Sequence, residues 1–287
     1  MQLESFLIAD SGSTKTDWVI TDSSGARYFQ SAGINPFYQT AQEIIPVLEK
    51  EVLPNLTETI GKVYFFGAGC ADEKSSRPVF DALTHCISSA GNIEIASDML
   101  GAVRGLCGHE PGLACILGTG ANNAFYDGKT IIRSIGSLGF WLGDEGSGSY
   151  LGKTLVVHFL QNELPEALHN NFAAQFPEVN RLSVLDNAYK KPYPNRYFAT
   201  FSKFIAENRE DPFLENLVRN AFSLFFEKYI CKHPEAQTVP VHFTGSIAYY
   251  YQDILKNVLE SRNLKPGRIL KSPLEGLLLY YSHVGLQ

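Results

Sequence analysis

Twice along its 287 residues the chain opens with short apolar segments broken by glycine- or aspartate-bearing turns, then passes into helices and strands that alternate. The first opening is "LIADSGSTKTDWVI" followed by "ARYFQSAG", and the second is "LACILGTGANNAFYDGKTIIRSIG". In both, runs rich in β-branched and aromatic residues are separated by turn formers, which predicts a meander of three strands. The first leads into the amphipathic "TAQEIIPVLEKEVL", the strand "KVYFFGAG", a helix through Val79 to Ser89, the strand "NIEIA" and a helix from near Asp98. The second leads, through a mostly helical stretch from Gly146 to roughly Cys231, to the strand "TVPVHFTG", a helix from Ser246 to Leu259, the strand "GRILK" and a last helix from Leu274. A pattern that restarts in this way predicts a duplicated α/β unit, with two mixed sheets each flanked by helices. A chain of this length also exceeds one comfortable core. The boundary falls near His109 to Gly112. This gives domains 1–110 and 111–287, the second with a helical insertion at about 153–235, and the last helix free to pack back across the boundary.

Composition removes several classes of function. The formal net charge is −6 and Lys and Arg form no cluster, which argues against a nucleic-acid surface. The five cysteines, Cys70, Cys86, Cys107, Cys115 and Cys231, are odd in number and never in C-x-x-C spacing. That disfavours a disulfide framework and a zinc or iron–sulfur site, and leaves reduced cytoplasmic thiols as the expectation. The opening lacks a basic leader, its apolar run stops at Asp10, and no run is long enough to cross a bilayer.

Three turns carry candidate chemistry. In the first, Gly12 can take positive φ, Ser11, Ser13, Thr14 and Thr16 bring hydroxyls, and Lys15 brings a positive charge suited to a polyphosphate. Asp10 opposes an anion there unless a divalent cation or its bound water stands between them. The competing reading is an ordinary hairpin, where Asp, Ser and Gly serve conformation only. The second turn is "GTGAN", Gly118 to Asn122, whose alternative is a glycine-rich bend. The third is "HFTGSIAYYYQDIL", where a strand ends at Gly245 and a helix starts at Ser246 or Ile247. Glycine lets the backbone approach a nucleoside there, while Ser246 can serve as an N-cap alone.

In this order, an Asp-x-Gly-x-Thr hairpin, a Gly-Thr-Gly hairpin and a strand–Gly–Ser–helix turn resemble the superfamily of sugar kinases, actin and Hsp70 ATPases. "SIGSLGFWLGDEGSGSYLG" resembles the Gly-Asp-Glu-Gly-Ser segment of the N-acetylglucosamine kinases and the related BadF-type ATPases. "SAGINPF" and "IASDMLGAV" resemble the sugar loop and the strand–Asp–helix element of the same kinases. The similarity follows motif order over essentially the whole chain, apart from the region Thr154 to Gln237. It departs from the animal enzymes at Ala68, where they have Ser, and at Ser137, where a glycine occurs.

The resemblance implies two ribonuclease-H-like (actin-like ATPase) domains with a cleft between them, ATP and Mg²⁺ as cofactors, and an amino sugar as substrate. N-acetylglucosamine phosphorylated at its 6-hydroxyl is the leading case. It implies that Asp10 organises Mg²⁺ through water and that Gly12, Ser13, Thr14 and Lys15 meet the phosphates from one side. Gly118, Thr119 and Gly120 meet them from the other, and Gly245 and Ser246 border adenosine. Asn35, Gly69 and Asp144 hold the hexose, and Asp98 is the catalytic base beside it. Asp98 competes for a plain N-capping role, shared with Ser97. Asp144 and Glu145 compete for a solvated loop.

Two other activities fit the same superfamily. One is an ATPase activator of a 2-hydroxyacyl-CoA dehydratase or benzoyl-CoA reductase type of system, which needs cysteines at an interface. Cys107 and Cys115 flank the boundary. The other is a non-catalytic sugar or nucleotide sensor. "GSGSYLGKT" is a near-miss for a P-loop, because Ser147 stands where the first glycine belongs. The aromatic residues Tyr249 to Tyr251 and Phe222 to Phe226 read as core or as a subunit contact, and a homodimer through the helical region is an expectation.

Overall fold

The computed structural model describes residues 5–22, 25–88 and 90–284. In chain order the first elements are β1 (Phe6–Ser11), β2 (Lys15–Asp22), β3 (Gly25–Ala32), α1 (Ala41–Val47), β4 (Lys62–Gly67), α2 (Glu73–Cys86), β5 (Asn92–Ser97) and α3 (Asp98–Cys107). There follow β6 (Gly112–Leu117), β7 (Ala121–Tyr126), β8 (Ile131–Arg133), α4 (Gly139–Leu142), α5 (Gly148–Leu160), α6 (Glu166–Gln175) and α7 (Arg181–Tyr189). The chain continues through α8 (Pro194–Thr200), α9 (Ser202–Glu207), α10 (Pro212–Lys228), β9 (Pro240–Thr244), α11 (Ser246–Tyr250), α12 (Gln252–Glu260), β10 (Lys265–Leu270) and α13 (Leu274–Val284).

The strands form two five-stranded sheets, ordered β3-β2-β1-β4-β5 and β8-β7-β6-β9-β10. In the first, β1 is antiparallel to β2 and parallel to β4, and β4 is parallel to β5. In the second, β9 and β10 are parallel. Each sheet thus runs third, second, first, fourth, fifth in its own chain order, and the duplicated pattern of the sequence is a duplicated ribonuclease-H-like topology.

By internal contacts the described residues fall into two units. One lies within Met1–Ala114, Tyr126–Ile132 and Ser272–Gln287, the other within Cys115–Phe125 and Arg133–Lys271. This division differs from a single cut near residue 110 in placing Tyr126–Ile132 and the chain's last helix with the first unit. α13 packs on α3 and β1, because the first sheet has two faces to cover. Successive strand residues point to opposite faces. Leu7, Ala9, Val63 and Phe65 accordingly share a core with Ile44, Leu48, Val79 and Leu83. Ile8, Val19 and Phe66 pack on Leu274, Leu277 and Tyr281 instead.

Some local expectations are corrected. Gly12 is not among the glycines with positive φ. The helix from Thr40 changes to a π turn at Leu48–Val52 after Pro46, a residue with no N–H to give the helical ladder. The helix expected to reach Ser89 ends at Cys86, and Ser89 lies outside the described residues. The single helix expected from Ser246 to Leu259 is broken at the buried Tyr251, between α11 and α12. Tyr251 sits at φ −113, ψ 28, off the helical path.

Candidate active site

The first unit gathers its candidate residues at the carboxyl ends of β1, β4 and β5. β1 and β2 turn tightly through residues 12–15, with the Gly12 N–H donating to the Lys15 carbonyl at 3.0 Å. Ser11 and Thr16 face each other across the hairpin, their hydroxyls 2.6 Å apart. The Ser11 hydroxyl also donates to the Ile34 carbonyl at 2.8 Å and accepts from the Ile34 N–H at 3.1 Å. This stitches the turn to the loop that carries Asn35. Sequence reasoning took these two hydroxyls as possible donors to an anion, but their alternation places them inward.

A Cβ on Gly12 would meet only the Lys15 carbonyl oxygen, at 3.7 Å, so the outer side of the bend is open. The Lys15 ammonium pairs with both oxygens of Asp17 at 2.7 Å.

Asn35 is 5% exposed, and its side chain is anchored from two sides: Oδ1 accepts the Phe37 N–H at 2.9 Å and Nδ2 reaches the Ser13 hydroxyl at 3.4 Å. Gly69 stands at φ +87, where a Cβ would overlap Asn35 Oδ1. Both the conformation and the close approach therefore require glycine there. Asn35, Gly69 and Ser13 are brought together.

At the end of β5 the competition over capping is decided. Ser97 is the N-cap of α3, its hydroxyl oxygen accepting the Leu100 N–H at 3.2 Å. Asp98 is the first helical residue, with Oδ1 accepting the Met99 N–H at 2.7 Å. Burial pushes the Asp98 carboxyl up to about 6, against the pull of that N–H. Asp10 is pushed up to about 7, by burial first and then by the charges of Asp98 and Asp17, with Lys15 and Ser272 acting the other way. Two acids share one pocket of charge, and each holds its proton to higher pH than an ordinary carboxyl does.

The second unit builds its own cluster around the β6–β7 bend. Gly118 N–H donates to the Gly120 carbonyl at 3.0 Å. The start of α5 holds the bend from behind, with the Gly148 N–H on the Gly118 carbonyl at 2.8 Å and the Ser149 N–H on the Thr119 carbonyl at 3.1 Å. A Cβ on Gly118 would meet nothing within 4 Å.

Asp144, at φ 60, is buried beside this bend and accepts the Ala121 N–H at 3.2 Å and the Ser137 hydroxyl at 2.7 Å, both on Oδ1. Burial raises its carboxyl, with those two hydrogen bonds opposing. Glu145 is 3% exposed, so the solvated-loop alternative fails for both acids. Burial pushes Glu145 up, but hydrogen bonds from Lys228 and Tyr229 outweigh it and hold the carboxyl below its usual range. Those partners lie 83 and 84 residues away, and nothing in the motif announces them.

At the third turn Gly245, not Ser246, is the N-cap of α11. Gly245 stands at φ +109, and a Cβ there would overlap the Leu117 carbonyl oxygen. Ser246 is the first residue of the helix.

Among known proteins, the chain is similar to the provisionally named N-acetylglucosamine kinase of Porphyromonas gingivalis, whose crystal structure superposes with a TM-score of 0.91. The two are 40% identical, over 97% of this chain and 99% of the other. MreB 5 of Spiroplasma citri, solved with AMPPNP bound, superposes with a TM-score of 0.62 at 11% identity, over 99% of this chain and 98% of the other. That likeness is one of fold alone. The N-acetyl-D-glucosamine kinase of Dictyostelium discoideum is 28% identical over 177 residues, so the match spans 56% of this chain and 56% of that relative. No family model matches the chain. With 40% identity sustained over nearly the full length of both chains, the protein belongs to the N-acetylglucosamine kinase family.

Proposed function

We propose that the chain transfers the γ-phosphoryl group of ATP to a hydroxyl of an amino sugar, converting N-acetylglucosamine to its 6-phosphate. The attacking hydroxyl loses its proton to Asp98 as its oxygen bonds to the γ-phosphorus and the bond to the ADP oxygen breaks. The observation that carries this reading is the division of roles at the head of α3. Ser97 caps the helix, which leaves Asp98 a carboxylate with a raised proton affinity at the carboxyl end of a sheet.

The bends at residues 12–15 and 118–120 grip the phosphates through backbone N–H groups, Ser13, Thr14, Lys15 and Thr119. Gly12 and Gly118 have open space where a side chain would stand, the room that a phosphate needs. Gly245 and Ser246 border adenosine, and Asn35, Gly69 and Asp144 hold the hexose. A divalent cation suits Asp10, whose burial beside Asp98 and Asp17 is offset by positive charge. Mg²⁺ keeps most of its waters and takes one or two carboxylates plus phosphate oxygens, so one acid reached through water is an adequate donor set. When bound, Mg²⁺ neutralises charge on the transferred phosphoryl group.

The activator reading is less favoured. Cys107 ends α3 and Cys115 lies within β6, both buried, so neither presents a thiolate outward to hold a shared cluster. Free cysteines suit a cytoplasmic location, and exposed Leu182 and Tyr189 on α7 suit a homodimer through the helical region. No described helix is long and apolar enough to cross a membrane.

The test is ADP formation with Mg²⁺ across amino sugars, N-acetylated sugars and glucose, with N-acetylglucosamine expected to give the greatest stimulation. If no sugar accelerates turnover, the kinase assignment fails. With the active sugar, kcat/KM should fall about tenfold per pH unit below about 6, because the base must be ionised and its carboxyl is raised to that value. A profile flat down to pH ~4, the range of an ordinary carboxyl, removes Asp98 from that role.

A second expectation concerns Gly118→Ala. Its Cβ would enter the space assigned to a phosphate, so the AMPPNP Kd should rise about tenfold or more. Stability should hold or rise by about 0.5 kcal/mol, since the conformation is ordinary and no neighbour is met. Calorimetric titration and thermal unfolding read the two effects separately.

A further inference from the structure

Glu145 takes no part in the chemistry proposed above, yet the fold buries its ionised carboxylate one residue from Asp144. An ionised carboxylate out of water is costly unless every oxygen is met, and such pairs more often fix geometry than add stability. Here each oxygen has its own donor, both from the end of α10. Lys228 Nζ meets Oε1, and the Tyr229 hydroxyl donates to Oε2 at 2.5 Å.

The backbone on either side is in the left-handed region, Asp144 at φ 60 and Gly146 at φ 81. Glu145 therefore pins the chain beside Asp144, a residue with a Cβ held in a conformation it adopts less freely than glycine does. The pinned loop closes on itself at Gly143, where a Cβ would come within 2.8 Å of Ser137 Oγ and 3.1 Å of the Tyr229 hydroxyl. Ser137 in turn accepts the Asp144 N–H at 2.9 Å and donates to Asp144 Oδ1 at 2.7 Å.

Every donor that the described residues direct at the Asp144 carboxylate falls on Oδ1. Oδ2 is left as an acceptor. We propose that Glu145, clamped by Lys228 and Tyr229, is a positioning residue that holds Asp144 so that Oδ2 is presented to a sugar hydroxyl. The end of the helical insertion thereby sets sugar affinity. The inference rests on the assignment of Asp144 to the hexose. Its effect should fall on sugar more than on nucleotide, because the Gly118 and Thr119 carbonyls are held by the N–H groups of Gly148 and Ser149 and not by Asp144.

The experiment compares Lys228→Met, Lys228→Arg and Tyr229→Phe in the full chain, reading sugar KM, kcat, calorimetric Kd for sugar and for AMPPNP, and Tm. The Lys228 side chain is half exposed, so its removal does not open a core. Lys228→Met and Tyr229→Phe should each raise sugar KM and sugar Kd about tenfold, with AMPPNP Kd unchanged within about twofold. Lys228→Arg keeps the charge and should stay within about threefold of the parent.

The proposal is overturned if Lys228→Met leaves sugar Kd within about twofold of the parent. It is equally overturned if sugar Kd, AMPPNP Kd and Tm move together and Lys228→Arg rescues none of them, the pattern of a merely structural contact. Direct binding distinguishes this from failure of the kinase reading. A parent protein that binds the sugar but never phosphorylates it sinks that reading alone, and one that binds no sugar sinks both.

Discussion

Asp98→Asn is expected to lower kcat about 10³-fold, close to 4 kcal/mol of transition-state stabilisation, within the range found when a general base is lost. The Kd values for AMPPNP and sugar should change by no more than about threefold, because the amide keeps the shape of the carboxylate and Oδ1 still accepts the Met99 N–H. Stability gives the second half of the expectation. The Asp98 carboxyl is raised to about 6 by burial, so its ionised form is disfavoured in the fold and more so as pH rises from the ordinary carboxyl range through 6. Removing that charge should leave Tm unchanged or raise it at neutral pH. Had Asp98 been only a cap, the same substitution would leave turnover intact and stability nearly unchanged, since Asn caps a helix about as well as Asp. A single-turnover measurement beside a melting curve tells the two apart, and retained turnover would also favour a different base.

The largest effect on stability is expected from Gly245→Ala. φ +109 with ψ 160 is a conformation that almost only glycine adopts, and the added Cβ would overlap the Leu117 carbonyl oxygen, with Leu117 C at 2.7 Å. Backbone strain of about 1–3 kcal/mol and displacement of packed backbone of similar size together give a loss of about 3–5 kcal/mol, a large part of a domain's stability. Urea unfolding should show the midpoint falling without a change in m. Gly118→Ala is the internal control: it adds the same methyl next along the chain from Leu117 and should not destabilise. A loss below about 1 kcal/mol for Gly245→Ala would mean that the turn relaxes easily, and that its glycine is kept for the ligand.

What the sequence made legible was whatever depends on near neighbours. The two meanders, the three turns and their order were readable because a strand alternates every second residue and a turn is written in four. The choice between Ser97 and Asp98 as cap was not, since adjacent residues compete for the same N–H groups and only backbone geometry assigns them. Gly12 was read as a positive-φ glycine and is not one; its value is the open face. Glu145 was visible but mute, because Lys228 and Tyr229 meet it from more than eighty residues away. Tyr251 divides a helix that periodicity ran together, being buried and off the helical path.

The placement of α13 has a consequence for how the protein is made. Gly276 lies so close to Gly105 that a Cβ would overlap the Gly105 carbonyl, and Leu274, Leu277 and Tyr281 seal one side of the first sheet. A ribosome delivers those residues after the whole of the other unit has been synthesised. Until then Ile8, Val19 and Phe66 lack the part of their cover that Leu274, Leu277 and Tyr281 supply, and the nascent chain carries an oily face that a chaperone can hold. The first sheet is thus synthesised well before the residues that complete it.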